Sequence, residues 1–156
     1  MTLLDVKGLK VHFETKEGTV RAVDGVDFTL GEGESLGLAG ESGCGKTTAA
    51  LSIMGLLPSN GRIVDGSISY LGLDLAKLTD NQLRGLRWKQ ISIIFQGAMN
   101  ALNPVKRVGD QIAEPIILHE KVDEEVAARR VGELLELVGI RKDRATEYPH
   151  EFSGGM

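Results

Sequence analysis

The residues with the clearest chemical purpose run from position 40 to 48: Gly40, Glu41, Ser42, Gly43, Cys44, Gly45, Lys46, Thr47 and Thr48. They fit the spacing G-x-x-x-x-G-K-[ST]. Glycines at these places let the backbone fold into a concave nest whose amide hydrogens converge on phosphate oxygens. Lys46 then brings a point charge to the β and γ phosphates, and the Thr47 hydroxyl is a ligand for magnesium. Cys44 reads as a small spacer whose backbone faces the phosphates. Its thiol lies where a bound nucleotide would shield it.

Such a loop works only between an element that delivers it and a helix that aims amides at the anion. SLGLA at 35–39 is a short apolar run of the kind buried on both faces of a parallel sheet. After the loop, 49–57 is rich in helix formers and stops at Pro58, which lacks the amide hydrogen that a continuing helix needs. The helix therefore begins near Lys46, with its positive dipole end toward the loop.

The remaining elements follow from pattern. Residues 3–13 and 20–30 carry spaced Val, Leu and Phe around the polar stretch ETKEGT, a strand–turn–strand pattern. Another strand is predicted at 62–71, and Thr79 with Gln82 forms a capping-box pattern opening a short helix toward Arg87. ISIIF at 91–95 predicts a second buried strand. Helices are predicted at 108–118 and 123–138. In the latter, Val126, Ala127, Val131, Leu134, Leu135 and Val138 form an apolar stripe, with Asp123 as its cap and Gly139 as its end. Trp88 with Arg84, Arg87 and Lys89 reads as a solvated helix end with one packing aromatic. IILHE at 116–120 reads as helix.

Composition narrows the function. The 156 residues suit one domain, and 18 Lys and Arg against 22 Asp and Glu give a formal charge of -4. No global positive field draws the chain to nucleic acid or anionic lipid, so an anion site must be local. No apolar run approaches the roughly 18 residues of a spanning helix, and no export signal is visible at the start. A single cysteine allows no internal disulfide and suits a reducing cytosol. His12, His119 and His150 are scattered, without ligand spacing.

Two further motifs carry a resemblance. Phe95-Gln96 follows a predicted buried strand, and Phe152-Ser153-Gly154-Gly155 closes the sequence. With the phosphate loop they resemble the ATP-binding cassette (ABC) family, whose signature is usually Leu-Ser-Gly-Gly-Gln. Here Phe152 and Met156 depart from it. VRAVDGVDF, GESGCGKTT, IFQGAMNALNPVKRVGDQIAEPI and YPHEFSGGM are similar to the ATPases of peptide and dipeptide importers, a group that includes nickel importers.

The resemblance implies an α/β fold: a P-loop NTPase core of ABC type with an antiparallel β subdomain and a helical subdomain, ending at the signature. Residues 1–95 would hold the β subdomain and P-loop core, and 96–156 the Q-loop and helical subdomain. ATP and magnesium are the implied ligands. Gly40 through Gly45, Lys46, Thr47 and Thr48 would hold the phosphates, with Thr47 and Gln96 on magnesium. Gln96 would also sense the attacking water. Phe13 would stack on adenine, and Ser153, Gly154 and Gly155 would bind the γ phosphate of ATP held by a second ATPase subunit.

Implied partners are that second subunit, transmembrane permeases and, indirectly, an extracytoplasmic binding protein, which places the protein on the cytoplasmic face of the membrane. Ala98, Met99, Leu102 and Pro104 are candidate permease contacts. The family's second magnesium-binding Asp, its adjacent Glu and its later His fall after the signature. On this reading the chain as given neither turns over ATP nor forms the ATP-sandwiched dimer. The alternatives are a non-transport ABC ATPase, a small-molecule kinase on the same loop, and a non-catalytic nucleotide-binding or regulatory protein.

Overall fold

The computed structural model of the chain describes residues 1–95, 97, 101–153 and 155. They divide into two compact units, Met1–Ile91 and Ser92–Met156.

In the first unit, β1 (Thr2–Thr15) and β2 (Gly18–Gly31) form the hairpin that the opening pattern predicts. They join β3 (Gly61–Tyr70) and the short β4 (Leu73–Asp74) in an antiparallel sheet of order β2-β1-β3-β4. Leu9 and Val11 of β1 alternate onto the core face, and an irregularity in the β1–β2 register between Val6 and Leu9 lets Val6, three residues earlier, join them. All three are buried and meet Val23 of β2, Ile68 of β3, and Ala49, Leu75 and Leu83 in one core. Burying one such aliphatic side chain is worth about 1.5–3 kcal/mol.

Helix α1 (Lys46–Met54) packs on this core through Ala49. It ends three residues before the position where Pro58 alone would stop it. Gly55 takes a left-handed conformation there, and the amides of Gly55 and Leu56 turn back onto the Ser52 and Leu51 carbonyls. The capping box of α2 (Asp80–Leu86) is formed as its sequence predicts. The Thr79 amide donates to Gln82 Oε1 at 2.9 Å, and the Gln82 amide to Thr79 Oγ1 at 3.4 Å.

The second unit is built on α3 (Val108–Glu120) and α4 (Glu124–Leu137). Asp123 caps α4 by accepting the Val126 amide at 2.8 Å. Val108, Ile116, Ala127, Val131, Leu135, Ile140 and Phe152 make its core. The stripe on α4 is narrower than predicted, since Leu134 and Val138 are exposed. Ala127, Val131 and Leu135 recur every four residues and keep one line. Leu134 is rotated about 100° from Leu135, and Val138 lies past the last turn.

The two predicted parallel strands differ from expectation. Residues 35–39 and 92–95 lie outside any strand, and Leu36, Leu38, Ile94 and Phe95 are exposed, Ile94 at 91%. Apolar composition gives a segment the propensity for a buried strand, but the ladder hydrogen bonds must come from a neighbour. Among the described residues no strand lies beside either segment to supply them.

Candidate functional site

The phosphate loop is seated on the sheet by a close approach. Gly45, the residue before α1, has φ 94, and a Cβ there would stand 2.3 Å from the Ala22 carbonyl oxygen of β2. Only glycine accommodates both that conformation and that contact. Beyond it, α1 begins with no side-chain cap and no acidic residue in its first turn. Its leading amides therefore have no intrahelical acceptor, and no carboxylate of its own first turn competes for them.

Lys46 turns back over this loop. Its ammonium donates to the Gly40 carbonyl at 2.9 Å and the Glu41 carbonyl at 2.7 Å, and lies 3.4 Å from Cys44 Sγ. The Cys44 amide donates to the Glu41 carbonyl at 3.3 Å, which tightens the same turn. Glu41, Ser42, Gly43, Cys44 and Thr47 are exposed, so the concave side of the loop and the Thr47 hydroxyl are reachable from solvent.

These residues fit a magnesium–triphosphate group. Amides at a helix start without intrahelical acceptors, a cation held by the Gly40 and Glu41 carbonyls, and an exposed hydroxyl at the first helical turn are the donor set such a group needs. The Thr47 hydroxyl would help hold the metal, which when bound would supply positive charge to offset that of the phosphates.

Phe13, the predicted adenine partner, stands opposite Val20 of β2 and Gly61 of β3. A Cβ on Gly61 would come within 2.5 Å of the ring, so the aromatic lies across the glycine, half-buried against the core. Strand β2 thus carries Val20 opposite Phe13 and, two residues on, the Ala22 carbonyl beneath Gly45. That separation is about 7 Å along a strand. Base-stacking and phosphate-binding candidates are brought to one edge of one unit.

Gln96, Gly154, Ala98 and Met99 lie outside the described residues. Ser153 and Gly155 are exposed in the second unit. The run before Ser153 is held firmly. Phe152 is buried, and the Arg144 guanidinium lies 4.5 Å from its ring centroid while donating to the Glu151 carbonyl at 2.8 Å and to Glu147 at 2.7 Å. The Tyr148 amide donates to Glu151 Oε2 at 2.7 Å, and its ring stacks on His150. Of the other permease-contact candidates, Pro104 is exposed and Leu102 packs partly on the core. Gln111 shapes their loop, accepting the Asn103 amide at 2.7 Å and donating to the Asn103 and Lys106 carbonyls at 3.0 Å.

Arg87 corrects the sequence reading. It is not a solvated helix end: its side chain is 20% exposed, and it donates to the carbonyls of Met54 and Gly55, both at 2.8 Å. Those acceptors lie 33 and 32 residues away, so no local pattern could reveal them. Arg144 was missed too, although its spacing to Glu147 is a helical ion-pair signal. Trp88, predicted to pack, is 40% exposed and has φ 71. An open groove of about 550 Å³ between α3, α4 and 145–146 is lined by Arg107, Asp110, Glu114, Ile117, Glu124 and Ala145. Among the described residues there is no cluster suited to a metal ion held by protein alone, and no helix long and apolar enough to cross a membrane.

A glycine-rich loop seated on a β-strand, opening a helix whose first residues are Lys and Thr, defines a P-loop nucleotide-binding protein. The family description that matches residues 23–156 is "ABC transporter", and the chain belongs to that family. The chain is 47% identical over 157 residues to the dipeptide transport ATP-binding protein DppD of Bacillus subtilis, covering 99% of this chain and 47% of that one. It is 45% identical over 156 residues to the oligopeptide transport ATP-binding protein OppD of Escherichia coli, covering 99% and 46%. The chain spans about half the length of the curated relatives it matches.

The fold matches a solved dimeric structure of the ATP-binding cassette MJ0796 in a post-hydrolysis state with ADP and Pi. The TM-score is 0.84 at 24% identity, over 98% of this chain and 64% of the other. The α/β fold of ABC type, with its antiparallel sheet and its separate helical part, is therefore as the resemblance implies.

Proposed function

We propose that this chain is the amino-terminal part of an ABC nucleotide-binding domain, from an ATPase subunit that couples ATP hydrolysis to peptide import. The carrying observation is the seated loop from Gly40 to Thr48, with the Lys46 ammonium held by the neutral Gly40 and Glu41 carbonyls. Phosphate oxygens are charged acceptors and form stronger bonds with an ammonium than carbonyls do, so a nucleotide outcompetes the internal contacts.

In this reading Gly40 through Gly45 and Thr48 wrap the phosphates by their amides, Thr47 and Gln96 serve magnesium, and Phe13 stacks on the base. Ser153, Gly154 and Gly155 serve a second ATPase subunit's nucleotide. Residues 1–95 form the β subdomain and P-loop core, and 96–156 the Q-loop and helical subdomain. The permease contacts are Ala98, Met99, Leu102 and Pro104, at the cytoplasmic face of the membrane. Peptide rather than another cargo is favoured by the similarity to DppD and OppD along 99% of the chain.

The test is titration of the chain with magnesium ATP, beside Lys46→Ala. Micromolar-range binding that the variant loses supports the reading, and equal affinities in two folded proteins overturn it. For transport, the whole gene product is assayed for ATP hydrolysis with its permease, with and without peptide. Turnover insensitive to both would favour a non-transport ATPase.

A further inference from the structure

We propose that Arg87 is a positioning residue for nucleotide binding, a clamp on the far end of the helix whose near end carries Lys46 and Thr47. This rests on the reading of the Gly40–Thr48 loop as the nucleotide site and goes beyond it, since the side-chain bonds of Arg87 run to Met54, Gly55 and Asp80, at the other end of the helix.

Helix α1 has nine residues and is about 13 Å long. A helix that short is held in orientation by its two ends. At the near end the seat is Gly45 against Ala22. At the far end the last carbonyls have no intrahelical donors, and Arg87 supplies two, from Nε to Met54 and from Nη2 to Gly55, both at 2.8 Å. The planar fork fixes direction as well as distance, which a lone ammonium does not.

The fork is itself anchored. Nη1 donates to Asp80 Oδ1 at 3.0 Å, and Asp80 also pairs with Arg84 at 2.9 Å. The Arg87 amide donates to the Leu83 carbonyl at 2.9 Å, and a Cβ on Gly55 would come within 2.5 Å of Leu83 Cδ1. One residue thus ties the end of α1 to both ends of α2.

The same residue opens the turn from which the chain continues toward Gln96. Arg87 bridges to Ile91, the Trp88 amide donates to the Ile91 carbonyl at 2.9 Å, and Trp88 takes its left-handed conformation inside that turn. Leverage sets the consequence. With α1 about 13 Å long, a tilt of about 5° at the clamped end moves the Lys46 end by about 1 Å, a displacement large enough to misplace a contact with a reacting group.

The experiment measures magnesium ATP affinity, thermal midpoint and the alkylation rate of Cys44, the single thiol, in the full chain. It compares wild type with Lys46→Ala, Arg87→Gln, Arg87→Lys, Asp80→Asn and the double variant Asp80→Asn/Arg87→Gln. Arg87→Gln is expected to weaken ATP binding on the order of fivefold and to leave Cys44 partly labelled at saturating ATP. Arg87→Lys should recover part of the affinity. Asp80→Asn should lose less, and the double variant no more than Arg87→Gln, because Asp80 acts through Arg87.

If Arg87→Gln does not fold, Arg87→Lys and Asp80→Asn carry the test. Wild-type affinity and protection in every folded Arg87 and Asp80 variant, with Lys46→Ala impaired, overturns the clamp and leaves the nucleotide site standing. A wild-type chain that binds no ATP, or one indifferent to Lys46→Ala, overturns both.

Discussion

The Lys46 ammonium lies 2.7 Å from the Glu41 carbonyl oxygen, inside the loop that its charge serves. With the second bond to Gly40 at 2.9 Å, the cation stabilises the turn of 40–45 before any ligand arrives. On the proposed reading, binding would exchange these bonds for stronger ones to phosphate, and Lys46 would contribute both to the loop's shape and to the anion's affinity. Replacing it by Ala should cost on the order of 1.5–3 kcal/mol of nucleotide binding, roughly tenfold or more. Calorimetry on the folded variant reads this directly, with circular dichroism to confirm that the sheet is intact.

Cys44 gives a second reading of the same site. Its thiol is exposed, 3.4 Å from the Lys46 ammonium, and on the loop that phosphates would cover. Magnesium ATP should slow its alkylation by a maleimide, and magnesium alone should not. Mass spectrometry at fixed times decides it. Equal rates at saturating ATP would place the thiol outside the occupied pocket.

Much of this was legible in the residues, and the reasons differ by element. The loop, the hairpin and both capping motifs are local, since Thr79 and Gln82 or Asp123 and Val126 need only their own backbone to find each other. The boundary at Gly55 was readable in principle, but Pro58 is the louder stop signal and drew the helix three residues too far. Residues 35–39 and 92–95 carry strand composition, yet a strand exists only where a neighbour pairs with it, and composition does not name the neighbour. Arg87 was misread because its acceptors are backbone carbonyls of a distant segment, which have no sequence identity at all.

The ion pairs give a pH dependence with a definite sign. Hydrogen bonding to Arg87 holds the Asp80 carboxyl below its usual range, as Lys77 does for Asp74 and Arg141 for Asp143. A carboxylate whose folded pKa is depressed contributes stability that is full above the unfolded value, near 3.9, and lost as pH falls through the folded one. Urea midpoints should therefore hold steady through neutral pH and decline below about pH 4. Asp80→Asn should remove part of that decline. A midpoint that rises on acidification would contradict the assignment.

Gly45 tests the seat of the loop. Alanine there must hold a left-handed conformation, which costs roughly 1–2 kcal/mol, and its Cβ would meet the Ala22 oxygen at 2.3 Å. The same change at Gly43, also left-handed at φ 81, meets nothing within 4 Å. Both should weaken ATP binding, with Gly45→Ala the worse because it lifts the loop from β2 as well as straining it. Titration of both variants gives the order, and a reversed order would mean that the seat does not govern binding.

Phe152 separates packing from recognition in the second unit. Its ring is 9% exposed in the core with Val108, Ile116, Ala127, Val131, Leu135 and Ile140, and the Arg144 guanidinium covers one face at 4.5 Å. Phe152→Ala removes the ring and leaves a cavity, a change that costs about 3–5 kcal/mol in well-packed sites. Phe152→Leu introduces the leucine usual in the signature that this segment resembles and keeps most of the apolar volume. It gives up the cation–π contact, about 0.5–1 kcal/mol for a partly exposed pair, and Arg144 keeps its bonds to Glu147 and the Glu151 carbonyl. The two variants should therefore differ by several-fold in their loss of stability. Denaturant unfolding followed by far-ultraviolet circular dichroism measures both. Equal losses would mean that the Arg144 contact, rather than burial, dominates at this position, whereas a near-neutral Phe152→Ala would mean that the segment preceding Ser153 is not anchored through this ring.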